Sequence, residues 1–197
     1  MTRKHPPKGK SRRNLVLVAF LLLIAVVGII VYAAYFNPDR IVLNTHTFFE
    51  IGIVGRDRSV RFVVPDQSIG VPGGFMATTK YLSDGVNGNY PLYSSPYSCA
   101  NASGTTVCGI SILSKVDRKY TLGDFFAVWG VPLGPDRTLS PRFTANFTTS
   151  NQPDYGWTMC TSSKANVWVP SEDWGSHVLT KGEIVLLDYS PPDFTCA

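Results

Sequence analysis

Leu15–Phe36 reads LVLVAFLLLIAVVGIIVYAAYF, 22 residues without a charge and with one glycine, Gly28. A bilayer hydrocarbon core is about 30 Å thick and takes about 20 apolar residues to cross as a helix. A helix that is apolar on every face needs lipid or a large protein core around it. A chain of 197 residues cannot build such a core, so the run predicts a transmembrane anchor. Tyr32, Tyr35 and Phe36 gather at one end, as aromatic residues do at a membrane interface. The competing reading is a cleavable signal peptide, whose apolar region spans about 7–15 residues before a small-x-small site. The run here is longer and Ala33-Ala34 is a weak cleavage site, which favours a retained anchor.

Charge gives the orientation. Arg3, Lys4, Lys8, Lys10, Arg12 and Arg13 precede the run, with no acid among the first thirteen residues. Removing those six from 18 basic residues leaves twelve against 14 acidic ones, so the rest of the chain is near −2. The positive-inside rule then keeps the N-terminus in the cytoplasm and places everything after about residue 37 outside. The expected organisation is a basic cytoplasmic tail over 1–14, unstructured through residue 13 and resting on anionic headgroups, and an anchor over 15–36. A connector over 37–46 and a single extracytoplasmic domain over 47–197 follow. The bilayer is thus the first partner. Only 16% of residues are charged, whereas 44% are hydrophobic and 12% aromatic. An ordinary soluble domain has about 25% charged residues. Such a balance argues against disorder, a coiled coil or a nucleic-acid partner.

All four cysteines, Cys99, Cys108, Cys160 and Cys196, follow the anchor, in the compartment where disulfides persist. Four cysteines allow three pairings. Local closure favours Cys99–Cys108, which leaves Cys160–Cys196 to tie down the C-terminal tail. A zinc site fails on spacing, since there is no C-x-x-C and no histidine near a cysteine. Asn101-Ala-Ser and Asn146-Phe-Thr are glycosylation sequons.

Within the outer domain the patterns are mostly strand-like. Phe48–Val54 and Ser59–Val64 flank the turn Gly55-Arg56-Asp57-Arg58 and predict a hairpin. Residues 70–97 are rich in Gly, Pro, Ser, Asn and Tyr and predict a long irregular stretch. Val107–Leu113, Arg142–Thr148, Val167–Pro170 and Glu183–Tyr189 are further strands. Thr121–Trp129 is the best helix. Thr121 and Asp124 occupy capping-box positions, and Leu122, Phe125, Phe126 and Trp129 line one face. Gly130 and Pro132 stop it. The fold class is α+β, mainly β, with one short helix across a sheet.

Ser114–Gly134, SKVDRKYTLGDFFAVWGVPLG, resembles the T-L-G-x-F-F-x-x-W-G motif of a family of small, uncharacterised, exported or membrane-anchored proteins of archaea and bacteria. Asn166–Tyr189, with VWVP, SHVL and KGEIVLLDY, is similar to that family's C-terminal strands. The resemblance implies a β-grasp-like domain: hairpin, helix, further strands. The family's histidine cluster is not retained. Its H-T-H-D-x-S-G becomes Ser98–Gly104, its I-H-I-E-S becomes Ile110–Ser114, and its opening H-x-H is reduced to His46 followed by Phe48. Imidazoles bind metal or move protons, so the expectation is no metal, no cofactor and no catalytic centre. A disulfide through Cys99 and Cys108 stands in for whatever held that hairpin in relatives.

The remaining candidates read as structural. His46 is expected to be an exposed polar residue near the membrane surface, and His177 to lie on a strand. Glu172 and Asp173 are neighbours that would face opposite sides of a strand and read as a solvated turn. Asp117, Arg118 and Lys119 read as a surface turn, and Asp124 as a cap. No G-x-S-x-G, P-loop or dinucleotide fingerprint occurs. Trp157, Trp168 and Trp174 read as packing. Tyr81, Tyr90, Tyr93 and Tyr97 in the Gly/Pro-rich stretch form the candidate contact surface, since aromatic rings carry much binding energy at interfaces. The function expected is a non-catalytic accessory or structural subunit of a membrane or envelope complex, with other membrane-protein subunits as partners. The alternatives are a surface ligand- or glycan-binding module and a degenerate metalloprotein.

Overall fold

A computed structural model describes residues 10–37, 40–54, 59–102, 105–139, 155–164 and 167–196. The chain divides into two compact units, Met1–Arg40 and Ile41–Ala197. The first holds helix α1, Lys10–Tyr35. Its span Asn14–Tyr35 is long and apolar enough to cross a membrane, with none of it buried in protein. The helix begins at Lys10, so the backbone expected to be unstructured before Asn14 is helical over its last four residues. Lys and Arg are good helix formers, and the apolar run has already nucleated the turns that follow them.

The second unit is built on a mixed sheet. Its strands are β1 (Leu43–Val54), β2 (Val60–Phe62), β3 (Leu92–Tyr93), β4 (Cys99–Ala102), β5 (Thr105–Ser114), β6 (Gly156–Lys164), β7 (Val167–Pro170) and β8 (Ile184–Ser190). The order is β3-β5-β1-β8-β6-β7, with β2 also on β1 and β4 also on β5. The central pair β1/β8 is parallel, and the other pairings are antiparallel. The expected hairpin exists only as the short ladder Gly52–Val54 with Val60–Phe62. The main partner of β1 is instead β5, paired from Leu43↔Ser114 to Phe49↔Cys108. Strand β1 therefore starts inside the stretch read as a connector. The turn 55–58 and the expected strand 142–148 lie outside the described residues.

Helix α2, Leu122–Trp129, packs on one sheet face. Thr121 caps it: Asp124 N–H donates to Thr121 Oγ1 (3.2 Å), and Thr121 N–H donates to Asp124 Oδ2 (3.1 Å). Gly130 ends it at φ 80°, a left-handed conformation that glycine adopts without steric cost. The apolar face meets alternate residues of the central strands. Phe49, Ile51, Ile110, Ile112, Met159, Val185 and Leu187 lie under Leu122, Phe125, Phe126 and Trp129, all essentially buried. Phe49 and Phe125 pack at 5.4 Å, as do Phe126 and Trp129. The long segment between β2 and β4 closes the core by inserting Ile69, Tyr90 and Leu92.

Candidate contact surface and a buried acid pair

The tyrosine-bearing segment is irregular but well tied. Val71-Pro72-Gly73-Gly74 makes a turn, with Gly73 at φ 82° and Gly74 N–H donating to the Val71 carbonyl (3.0 Å). Pro at the second position and a positive-φ glycine at the third are the type II pattern. Ile69 bridges to Phe75 and Ser94 on either side of this turn. Ser95 then caps the single turn Pro96–Ser98, its Oγ accepting from Tyr97 N–H (3.0 Å), while Ser98 Oγ donates to the Ser95 carbonyl (2.6 Å).

These constraints separate the four tyrosines. Tyr90 is 1% exposed and belongs to the core, so it leaves the contact surface. Burial pushes its phenol up to about 12. Tyr81, at φ 68°, packs edge-on against Tyr120 at 6.2 Å. Its faces carry Lys80 and Arg118, at 4.5 and 4.2 Å from the ring centre, a cation–π arrangement. Tyr93 is half-buried on β3. Tyr97 alone stands free, 97% exposed. It edges an open groove of about 440 Å³ whose walls include Asp66, Gln67, Ser68, Pro72 and Gly73.

The remaining polar candidates have structural uses. Arg118 is not a free surface cation: it pairs with the largely buried Asp84 at 3.1 Å. Asp124 also lies 3.7 Å from Lys80. His46 is exposed and bonded through Nδ1 to Ser111 Oγ (3.1 Å). His177 follows the turn Trp174–Ser176 rather than lying within a strand. It is mostly buried, with Nε2 3.2 Å from Glu183 Oε2 and Nδ1 3.9 Å from Asp173. Glu183 Oε2 also accepts from Thr180 Oγ1 (2.8 Å), so this group shapes the turn before β8. Glu172 and Asp173 are both exposed. Trp157 packs at a tilt against Tyr189 at 5.3 Å, and both Trp157 and Trp174 pack against the core. Trp168 is half-buried on the edge strand β7.

No protein-family profile, curated protein or solved structure matches this chain.

Both expected disulfides are formed. Cys99–Cys108 links directly opposed residues of β4 and β5, and Cys160–Cys196 ties the C-terminal tail to β6. Asn101 is exposed on β4, with Oδ1 accepting from Thr106 Oγ1 (2.6 Å). Asn146 lies outside the described residues. Among the described residues no three His, Cys, Asp or Glu side chains gather as a metal cluster.

Sequence reasoning missed Glu50 and Asp188. Each sits in an apolar strand where alternation places it opposite the helix-covered core, which reads as solvent. Both are instead buried, 7% and 4% exposed. Burial and the neighbouring Asp188 push Glu50 up to about 7, and burial pushes Asp188 up to about 6. The two strands pair in register at Gly52↔Asp188 and Glu50↔Leu186, so the carboxylates are diagonal neighbours on one face. Gly52 is the signal that could have been read. A Cβ there would lie 2.5 Å from Asp188 Oδ1, so the carboxylate occupies the space a side chain would need.

Proposed function

We propose that this chain is a single-pass membrane protein whose extracytoplasmic domain is a non-catalytic accessory subunit of a membrane or envelope complex. The observation that carries the reading is the pairing of an apolar span, Asn14–Tyr35, with a separate unit closed by two disulfides. A span of that kind holds a protein at a bilayer, and disulfides persist where the compartment is oxidising. The basic residues before the span favour an inside N-terminus. His177 pairs with Glu183, Asp84 with Arg118, and Asp124 caps α2 with Thr121, which supports a scaffold more than a reaction centre.

We also infer a β-grasp arrangement. What supports it is the order of parts: a long antiparallel pair β1/β5, then α2, then the β6/β7 pair, then β8 returning parallel beside β1. The same reading keeps the chain beside the exported family that its Thr121–Gly130 motif resembles.

Extraction of native membranes in mild detergent, followed by native-gel separation and mass spectrometry of comigrating chains, tests the accessory role. A stoichiometric complex is expected. Migration alone would overturn it and leave the second reading, a surface module for a ligand or glycan. That reading is favoured by one feature, the exposed Tyr97 ring beside a groove lined by Asp66, Gln67 and Ser68.

A further inference from the structure

The sheet face turned away from α2 carries a compact set of oxygen donors at its centre. In register, Cys160, Leu186 and Glu50 form one row across β6, β8 and β1. Thr158, Asp188 and Gly52 form the next, and Gly156 and Ser190 follow. Asp188 is the middle of this grid. Glu50 is its diagonal neighbour, Thr158 stands opposite it, and Ser190 is the next residue of β8 on the same face. Two glycines flank the set. Gly52 makes room for the Asp188 carboxylate, and nothing lies within 4 Å of a Cβ on Gly156.

Glu50, Asp188 and Ser190 are buried and Thr158 is half-buried. Among the described residues, Asp188 Oδ1 and Ser190 Oγ have no hydrogen-bond partner, and the two residues are 4% and 1% exposed. None of the eight residues in the grid is basic. A buried carboxylate anion without a partner is strongly unfavourable, so it is either protonated or matched by a cation. Cys160 is held in its disulfide, which leaves oxygen as the donor set.

The geometry points to a binding site for a hard divalent cation of the calcium class, held by Glu50 and Asp188 and completed by the Ser190 and Thr158 hydroxyls. Calcium takes six to eight oxygen ligands in adaptable geometry, which suits two carboxylates and two hydroxyls from three strands with water filling the rest. Magnesium demands near-ideal octahedral geometry, which strand-fixed donors at these register positions suit less well. A single proton shared by the carboxylates is the rival occupant. It lowers their charge but leaves the Ser190 hydroxyl without a use. The raised Glu50 and Asp188 values describe the same site without an ion. The site is independent of the accessory-subunit reading.

The test uses the full chain in detergent micelles at pH 7.5, first stripped with chelator. Calcium chloride is titrated against magnesium chloride and choline chloride, with thermal unfolding and terbium luminescence as readouts. Calcium is expected to raise the midpoint saturably, and terbium to give a signal that calcium displaces. Glu50→Gln and Asp188→Asn should abolish both. Ser190→Ala, which removes one neutral ligand, should keep the fold and weaken calcium at least threefold. That variant keeps the test decisive if the acid variants fail to fold. No calcium-dependent shift together with no terbium signal would overturn the site and leave the shared proton. Equal calcium affinity in wild type and in Ser190→Ala would overturn the assigned ligand set.

Discussion

Without metal, the Glu50/Asp188 pair should make this domain lose stability as pH rises. A folded-state carboxyl pKa above the unfolded value means that the native state holds the proton more tightly. Its contribution is complete below the ordinary carboxylate range and is lost as pH climbs through the folded pKa. Glu50 moves from 4.5 to about 7 and Asp188 from 3.8 to about 6, so the window runs from about pH 4 to about pH 8. Each pKa unit is about 1.4 kcal/mol. Between pH 5 and pH 8 the two groups would together cost about 4 kcal/mol, and relaxation and water penetration around the ionised pair reduce this to about 2 kcal/mol. The two titrate as a coupled pair, so the loss belongs to both. Ordinary carboxylates are already ionised across this range, but imidazoles ordinarily titrate within it, so the double variant is the control that isolates the effect. The assay is urea unfolding of the full chain in micelles with chelator, followed by tryptophan fluorescence at pH 5, 6, 7 and 8. Wild type should lose about 2 kcal/mol from pH 5 to pH 8. The double variant Glu50→Gln/Asp188→Asn should be nearly flat and should exceed wild type at pH 8. A flat wild-type profile, or an equally steep fall in the double variant, would refute the reasoning.

Three further outcomes follow from the fold. Thr121→Ala removes the acceptor for Asp124 N–H and should cost about 1 kcal/mol in denaturant unfolding. Phe125→Ala empties a fully buried site beside Phe49 and Trp129 and should cost about 3–5 kcal/mol, whereas Tyr97→Ala, at a 97% exposed ring, should stay within about 0.5 kcal/mol. Loop-closure entropy makes the 36-residue Cys160–Cys196 link worth about 4 kcal/mol and the nine-residue Cys99–Cys108 link about 2.6 kcal/mol. Cys160→Ser/Cys196→Ser should therefore lower the urea midpoint more than Cys99→Ser/Cys108→Ser.

What the sequence made legible has a local cause. Helix α2 announced itself because capping residues, apolar period and stop signals all fall within Thr121–Pro132. Strands β5, β7 and β8 were visible as apolar runs bounded by turns. The major pairing of β1 was not, because a turn between two apolar runs pointed to β2 and nothing local marks a partner more than fifty residues away. Strand β6, GWTMCTSSK, was missed because its core-side face offers only Trp157 and Met159 before Thr161 and Ser163, too short an apolar alternation to mark a strand. Tyr90 looked like its three neighbours because burial is decided by the path of the segment, which the Ile69 and Ser94 bridges fix. Glu50 and Asp188 were hidden for a related reason. Alternation assigns a residue to a face, and only the tertiary fold shows whether that face meets water.

The claim on which the rest depends is that the chain crosses a membrane once and displays its disulfide-closed domain outside. Intact cells treated with a membrane-impermeant amine reagent, followed by alkaline washing of membranes and peptide mass spectrometry, test it directly. The expected result is a chain that stays in the membrane fraction, modified at the exposed Lys80, Lys119 and Lys181. Lys4 and Lys8 should be modified only after permeabilisation. The reverse labelling pattern, or a chain released by the wash without Leu15–Phe36, would contradict it.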